Sequence, residues 1–534
     1  MAALSPVTRA VHEVDRTICL HVFAFASDQL QSVRTTTGSV PPPAVDLPVD
    51  QTGAELKRGA LLNTIALLAS NFMGVFGFLV ARLLGPAALG MFSVAWAITD
   101  VISKVAVFGL DNAITTFIAR SEAVGDRSRS RALFRVAVGI VLVQSAAIAL
   151  LSITVIRLFG HQLGLERNMV SALALVLCAL PGVGLYRVCI SVSRGAKVMQ
   201  HDIYSRGITE PIVTILAFLI ALATGFDNFS PEVAAIVGTA ASALIAFTLA
   251  SRLFRAHPES SSISYRSEAR QLLGYAAPIS AHQLITAFIS RLDVITLGFF
   301  IGHAPGVTLT TVGVYAAVVE IANGLRKVNQ AFNPIFAPIV AGMTATGAHE
   351  RAAAAYARLA QWMLWILLPA VAVMVLAGGT ILLIFGPAFR QGGVWLGIVA
   401  FASATNAFLS LGETVIMVQR PRLNLMHSLI TCAVALGALL WLIPRYGVIG
   451  AAFGILLPYV AQGVLRYTAL RFVFHWKEPW SEIAPPIVAA IIALVPAVVC
   501  RALLPGILGQ LTSGAAFLLV FGGAWLRFRS NSKN

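Results

Sequence analysis

The sequence predicts an all-α polytopic membrane protein with about 14 transmembrane helices: two pseudo-symmetric six-helix bundles followed by two further helices. Three observations carry that expectation. The first is composition. Of 534 residues, 58% are hydrophobic and only 11% charged, whereas soluble domains carry about 25% charged residues. One soluble core cannot absorb so much apolar surface, because such cores stop growing near 250–300 residues. The second is the recurrence of apolar runs near 20 residues, the length a helix needs to cross about 30 Å of hydrocarbon. The third is where the basic residues fall. The net charge of +15 suggests nucleic acid in a soluble chain, but here Lys and Arg punctuate apolar runs and form no patch with interleaved aromatics.

Taken in chain order, the candidate helices lie at 59–81, 87–108, 132–156, 169–186, 211–225, 232–250, 272–301, 312–340, 359–384, 394–417, 425–443, 447–465, 483–500 and 506–526. The fifth is short; the seventh and eighth are long. Pro278 is placed to bend the seventh, and Pro334 and Pro338 to kink or end the eighth. With the N-terminus inside, the 38 Lys and Arg residues divide into 28 on the cytoplasmic side, six outside and four within helices. Basic residues favour the cytoplasmic side, and an error in the helix count would flatten this bias. Both termini are therefore expected in the cytoplasm of a bacterial inner membrane.

Residues 1–57 read as a disordered cytoplasmic tail ending in the Pro-rich stretch Pro41–Pro48. The apolar run Thr17–Ala26 is too short to span. It is a poor signal peptide, because Glu13 and Asp15 occupy the place of a positive n-region. The remaining units are a bundle at 58–256, a polar linker at 257–271, a second bundle at 272–471, and helices 13 and 14 with the C-terminus at 472–534. The five cysteines (Cys19, Cys178, Cys189, Cys432, Cys500) are scattered through apolar contexts without a CxxC pair, as buried small hydrophobes are. No cofactor or metal is expected.

Helices 2 and 8 align without a gap. Leu89-Gly90-Met91-Phe92-Ser93-Val94-Ala95 faces Val312-Gly313-Val314-Tyr315-Ala316-Ala317-Val318, and in continuing register Asp100 meets Asn323 and Lys104 meets Lys327. Each block follows a glycine-bearing loop. Since the two helices run in the same direction, the repeat is parallel, a duplicated bundle of the kind transporters use.

With this architecture, several segments resemble the polysaccharide (O-antigen type) flippases of the multidrug/oligosaccharidyl-lipid/polysaccharide exporter (MOP) superfamily. These are Asn63 through Gly90 and Phe92, Gly109-Leu110-Asp111-Asn112-Ala113, Tyr275-Ala276-Ala277-Pro278, Arg291-Leu292-Asp293, Leu297-Gly298 and Gly313-Val314-Tyr315. The resemblance covers about 58–526. It implies translocation of a lipid-linked oligosaccharide, on an undecaprenyl diphosphate type of carrier, from the cytoplasmic to the periplasmic leaflet by alternating access. It further implies O-antigen, capsule or exopolysaccharide assembly, with membrane lipids, a polymerase and glycosyltransferases as partners, and no role for nucleic acid.

Ionisable residues inside membrane helices usually face a bundle interior or a wet cavity. Lys104 lies 14 residues past Gly90, about 21 Å at 1.5 Å per residue, and Lys327 has the same offset from Gly313, with Arg326 beside it. Under the resemblance, Lys104, Lys327, Arg326 and Arg291 are the expected diphosphate ligands. Other readings stay open. Asp100 and Lys104 are spaced for an intrahelical ion pair, and Arg326 and Lys327 are placed to snorkel. Arg291 and Asp293 lie about 200° apart on their helix, so they do not share a face. Asp100, Asp293 and Glu320 are the ion-coupling candidates. Glu413 and Arg420 are read as packing and topology residues.

No Ser/His/Asp or Cys/His set and no Walker A loop is present, which points to a transporter and not an enzyme. Two alternatives remain. One is a multidrug or cation antiporter of the same superfamily, whose cavity should be acidic or apolar. The other is a membrane-embedded glycosyltransferase or polymerase, which the short outer loops disfavour.

Overall fold

The computed structural model describes residues 72–162, 164–227, 229–254, 264–345, 349–476 and 480–531. The tail, the first half of the first helix and positions 255–263 of the linker lie outside the described residues. Among the described residues every regular element is helical.

The chain runs through α1 (Phe72–Leu83), α2 (Pro86–Val107), α3 (Leu110–Ala123), α4 (Arg127–Phe159), α5 (Arg167–Gly195), α6 (Gln200–Ala223) and α7 (Ser230–Leu253). It continues through α8 (Tyr265–Phe299), α9 (Leu309–Ala345), α10 (His349–Leu382), α11 (Gly393–Gln419), α12 (Pro421–Thr468), α13 (Trp480–Leu503) and α14 (Gly506–Asn531). Eleven stretches are long and apolar enough to cross a membrane. One of them, in α12, contains two crossings: at Gly447 (φ 60°) the chain turns back, bringing Gly454 against Leu439 and Gly450 against Leu442. With the described part of α1 and with α9 added, the described residues hold 14 candidate crossings. α9 is less apolar because Glu320, Arg326 and Lys327 sit in its middle. The large apolar side chains on the outside, such as Leu503 (74% exposed) and Leu519 (77%), mark this as a multi-pass membrane protein whose solvent there is lipid.

Three elements differ from the sequence expectation, and each contains polar residues that a hydropathy reading assigns to loops. α3 continues α2 beyond a break at Phe108 (φ 51°) and Gly109 (φ 69°). Only glycine suits position 109, since a Cβ there would lie 2.7 Å from the Ala276 carbonyl oxygen. α5 does not end at 186 but runs to Gly195, with one irregular turn at Cys178–Ala179. α6 begins at Gln200, and its first turns include a π-helical segment, Ile203–Thr209.

The last two helices pack on α10. Trp365 contacts Phe521 with ring centroids 5.0 Å apart, and the Thr380 backbone N–H donates to Gln510 Oε1 at 2.9 Å, an interhelical polar contact of the kind that joins helices in lipid.

Candidate functional site

α2 and α9 cross at the end of the bundle opposite the basic loops. Gly90 and Gly313, the glycines that align in the sequence, meet backbone to backbone there. A Cβ built on Gly313 would lie 1.7 Å from the Pro86 carbonyl oxygen, and one on Gly90 would lie 2.3 Å from the Leu309 carbonyl oxygen. Nearby, a Cβ on Gly298 would lie 2.5 Å from Val94, and one on Gly164 would lie 3.1 Å from His303. These contacts close that end. At the basic end, Arg129 of α4 makes a two-point ion pair with Glu268 of α8, at 3.0 and 3.1 Å.

Behind the glycine crossing lies a cavity of about 510 Å³. Its apolar part is lined by Phe76, Leu89, Phe92 and Trp96, and its polar part by side chains of α2, α3, α5, α6, α8 and α9. Among its lining residues is Asp100 of α2. One carboxylate oxygen accepts from Arg187 Nη2 of α5 at 3.1 Å, and the other accepts from Arg291 Nε of α8 at 3.2 Å. Two guanidinium groups from helices on opposite sides of the cavity thus converge on one anion. Lys104, Arg194 and Arg206 also line the cavity, as do Asp111, Asp202, Glu210 and Glu320. Arg194 is bonded to Asp202, and the Arg206 guanidinium stands 5.8 Å from the Tyr186 ring centroid.

Of the residues singled out in the sequence, Asp100, Lys104, Arg291 and Glu320 line this cavity. Arg326, Lys327 and Asp293 are not among its lining residues. Arg326 donates to Asn323 at 3.3 Å and lies 5.7 Å from the Tyr459 ring centroid. Lys327 is half-buried. Asp293, 2% exposed, accepts from the Tyr315 hydroxyl at 3.0 Å and from the Val294 N–H at 2.8 Å. Among the described residues the ion-pair partners of Asp100 are Arg187 and Arg291, not Lys104. Glu413 is bonded to the buried Arg466 of α12. No group of three His, Cys, Asp or Glu side chains converges as metal ligands do among the described residues.

Sequence reading missed Arg187, Arg194 and Arg206. The first two carry a legible signal: seven residues apart, two helical turns, they form one stripe with Ile190 and Ser191. Arg206 carries none, because the π segment that sets its direction leaves no mark in hydropathy.

Comparison with known proteins gives this architecture a family. The model of the family described as "Polysaccharide biosynthesis protein" matches residues 56–339. The chain belongs to that family. Its fold is shared by several solved MOP-superfamily structures. One is the lipid II flippase MurJ in an inward closed conformation, at 12% identity and TM-score 0.62 over 89% of this chain and 100% of that one. Another is an inward-facing multidrug resistance MATE family transporter, at 15% identity and TM-score 0.61 over 78% and 98%. A third is the eukaryotic MATE transporter AtDTX14, at 12% identity and TM-score 0.54 over 80% and 96%. No curated protein sequence matches. This polysaccharide biosynthesis family member shares its fold with those flippase and MATE structures.

Proposed function

We propose that the protein flips a lipid-linked oligosaccharide, carried on a diphosphate, across the bacterial inner membrane for O-antigen, capsule or exopolysaccharide assembly. Both termini lie in the cytoplasm in this reading, and the cavity loads from that side. The observation that carries it is the convergence of Arg187 and Arg291 on the Asp100 carboxylate. A site that holds one carboxylate between two guanidinium groups presents the geometry a diphosphate takes, since Arg binds carboxylate and phosphate in the same planar fashion. Substrate diphosphate displaces Asp100 from the two arginines, and Lys104 and Arg206 add charge from the same wall. Arg326 and Lys327, at corresponding depth on α9, serve the same anion at a later stage of transport. Asp100, once freed, and Glu320 and Asp293 are the groups available to exchange a proton or cation.

A second reading, export of an organic cation, is favoured by one observation: the acids lining the cavity, Asp100, Asp111, Asp202, Glu210 and Glu320, equal the cations in number. The experiment that separates the two measures cell-surface polysaccharide and drug tolerance in a deletion strain complemented with variants, beside an immunoblot. Charged hydrogen bonds contribute about 1.5–3 kcal/mol, so Arg187→Gln and Arg291→Gln should each lower polysaccharide export roughly ten- to a hundred-fold. Arg291→Lys should keep part of it, and drug tolerance should not change. Wild-type polysaccharide from both Gln variants, or loss of drug tolerance alone, overturns the flippase reading.

A further inference from the structure

A second groove, which shares no lining residue with the central cavity, lies on the α4–α5 hairpin at the closed end. It encloses about 550 Å³. Arg157, His161 and Arg167 form its rim, and Ile153, Val170 and Leu175 its walls, down to Cys178. Arg157 and Arg167 are exposed, and among the described residues neither has an ion-pair or hydrogen-bond partner. The neighbouring carboxylate, Glu166, is exposed and does not line the groove.

The depth of the groove is informative. From Arg167 to Cys178 the helix advances 11 residues, about 16 Å, or one leaflet of a hydrocarbon core about 30 Å thick. Leu150, on the groove side of α4, is exposed, and so is Cys178 at the foot of the groove, so the groove opens to lipid and not to the interior. Interfacial arginines that merely snorkel need no recess beneath them. Here a cationic rim stands over an apolar slot one leaflet deep. That combination complements an amphiphile with an anionic head and a hydrocarbon chain, as basic pockets between membrane helices do.

We propose that this groove is a binding site for an anionic phospholipid of the leaflet at the closed end. The phosphate is held by Arg157, Arg167 and His161, and one acyl chain lies along α5. The proposal is independent of what the central cavity carries.

The test uses the full chain in detergent, read by native mass spectrometry. Phosphatidylglycerol competes against phosphatidylcholine of identical chains, and glycerol 3-phosphate serves as the head without chains. The wild type should retain phosphatidylglycerol in preference to phosphatidylcholine by about tenfold, as two charged contacts allow. Arg157→Gln/Arg167→Gln should lose that preference, and Arg157→Lys/Arg167→Lys should regain most of it. Glycerol 3-phosphate at millimolar concentration should not displace the lipid. If the Gln variant fails to fold, a phosphatidylglycerol with a photoreactive acyl chain, added to the wild type, should crosslink to peptides within 153–178. Unchanged selectivity in the Gln variant, displacement by glycerol 3-phosphate, or crosslinks confined to other helices overturns the site.

Discussion

Gly313→Ala should open the closed end of the cavity. A Cβ at this position would lie 1.7 Å from the Pro86 carbonyl oxygen, and real Cβ atoms essentially never come within 3.0 Å of another atom. α2 and α9 must therefore part by about 1.3 Å, the difference between those two distances. The obstacle is backbone, so no side chain can swing away. Overpacking of this kind costs about 1–3 kcal/mol, charged only to the state in which the helices touch. At 1.4 kcal/mol per tenfold, the open population rises roughly 5- to 150-fold. The substitution does not weaken the helix itself, because Ala is a better helix former than Gly by about 1 kcal/mol. The assay places a cysteine at Ser93, which lines the cavity, in a chain stripped of its native cysteines. Reaction with a membrane-impermeant maleimide is then followed in whole cells. Gly324→Ala is the control, on the same helix with nothing within 4 Å of its Cβ. Equal labelling rates for Gly313→Ala, Gly324→Ala and the parent, at equal protein levels, would refute the reasoning.

Other substitutions probe the scaffold. Asp126 caps α4, accepting from the Arg129 N–H at 3.0 Å and the Ser128 hydroxyl at 2.9 Å. Asp126→Ala should lower stability by about 0.5–2 kcal/mol, measured as a reduced melting temperature in detergent. Those two hydrogen bonds hold the Asp126 carboxyl below the usual carboxylate range. The cap is therefore at full strength above about pH 4 and fades as the pH falls below it, so wild type and variant should converge in acid. Tyr315→Phe leaves buried Asp293 with the Val294 N–H alone; the loss should be about 1–3 kcal/mol, with a lower melting temperature and unchanged membrane insertion.

Hydropathy and charge bias made the helical crossings legible, because an apolar run of the right length has few other fates in a bilayer. The central site was legible only in part. Asp100, Lys104, Arg291 and Glu320 stand out because they interrupt apolar helices. Their partnerships do not. The i,i+4 spacing suggested Lys104 for Asp100, whereas the structure supplies arginines 87 and 191 residues away. Arg187 and Arg194 follow directly on an apolar run and so looked like the start of a cytoplasmic loop, although α5 carries them for two more turns. Depth along a helix follows from counting residues; direction into a cavity depends on which helices pack together.

The π segment Ile203–Thr209 has a consequence for how α6 tolerates insertions and deletions. A wide turn accommodates one residue more than the α geometry on either side of it, so it acts as a phase shift between two ordinary stretches of helix. Downstream, the shift leaves Phe218 buried in the bundle. Upstream, it leaves Asp202 aimed at Arg194, and His201 within 2.9 Å of the Ser193 hydroxyl. Deleting Gly207 would return the segment to α geometry and rotate the first turn by about 100°, taking both contacts with it while keeping composition and hydropathy nearly unchanged. For α6 the spacing of residues is thus a stricter requirement than their identity.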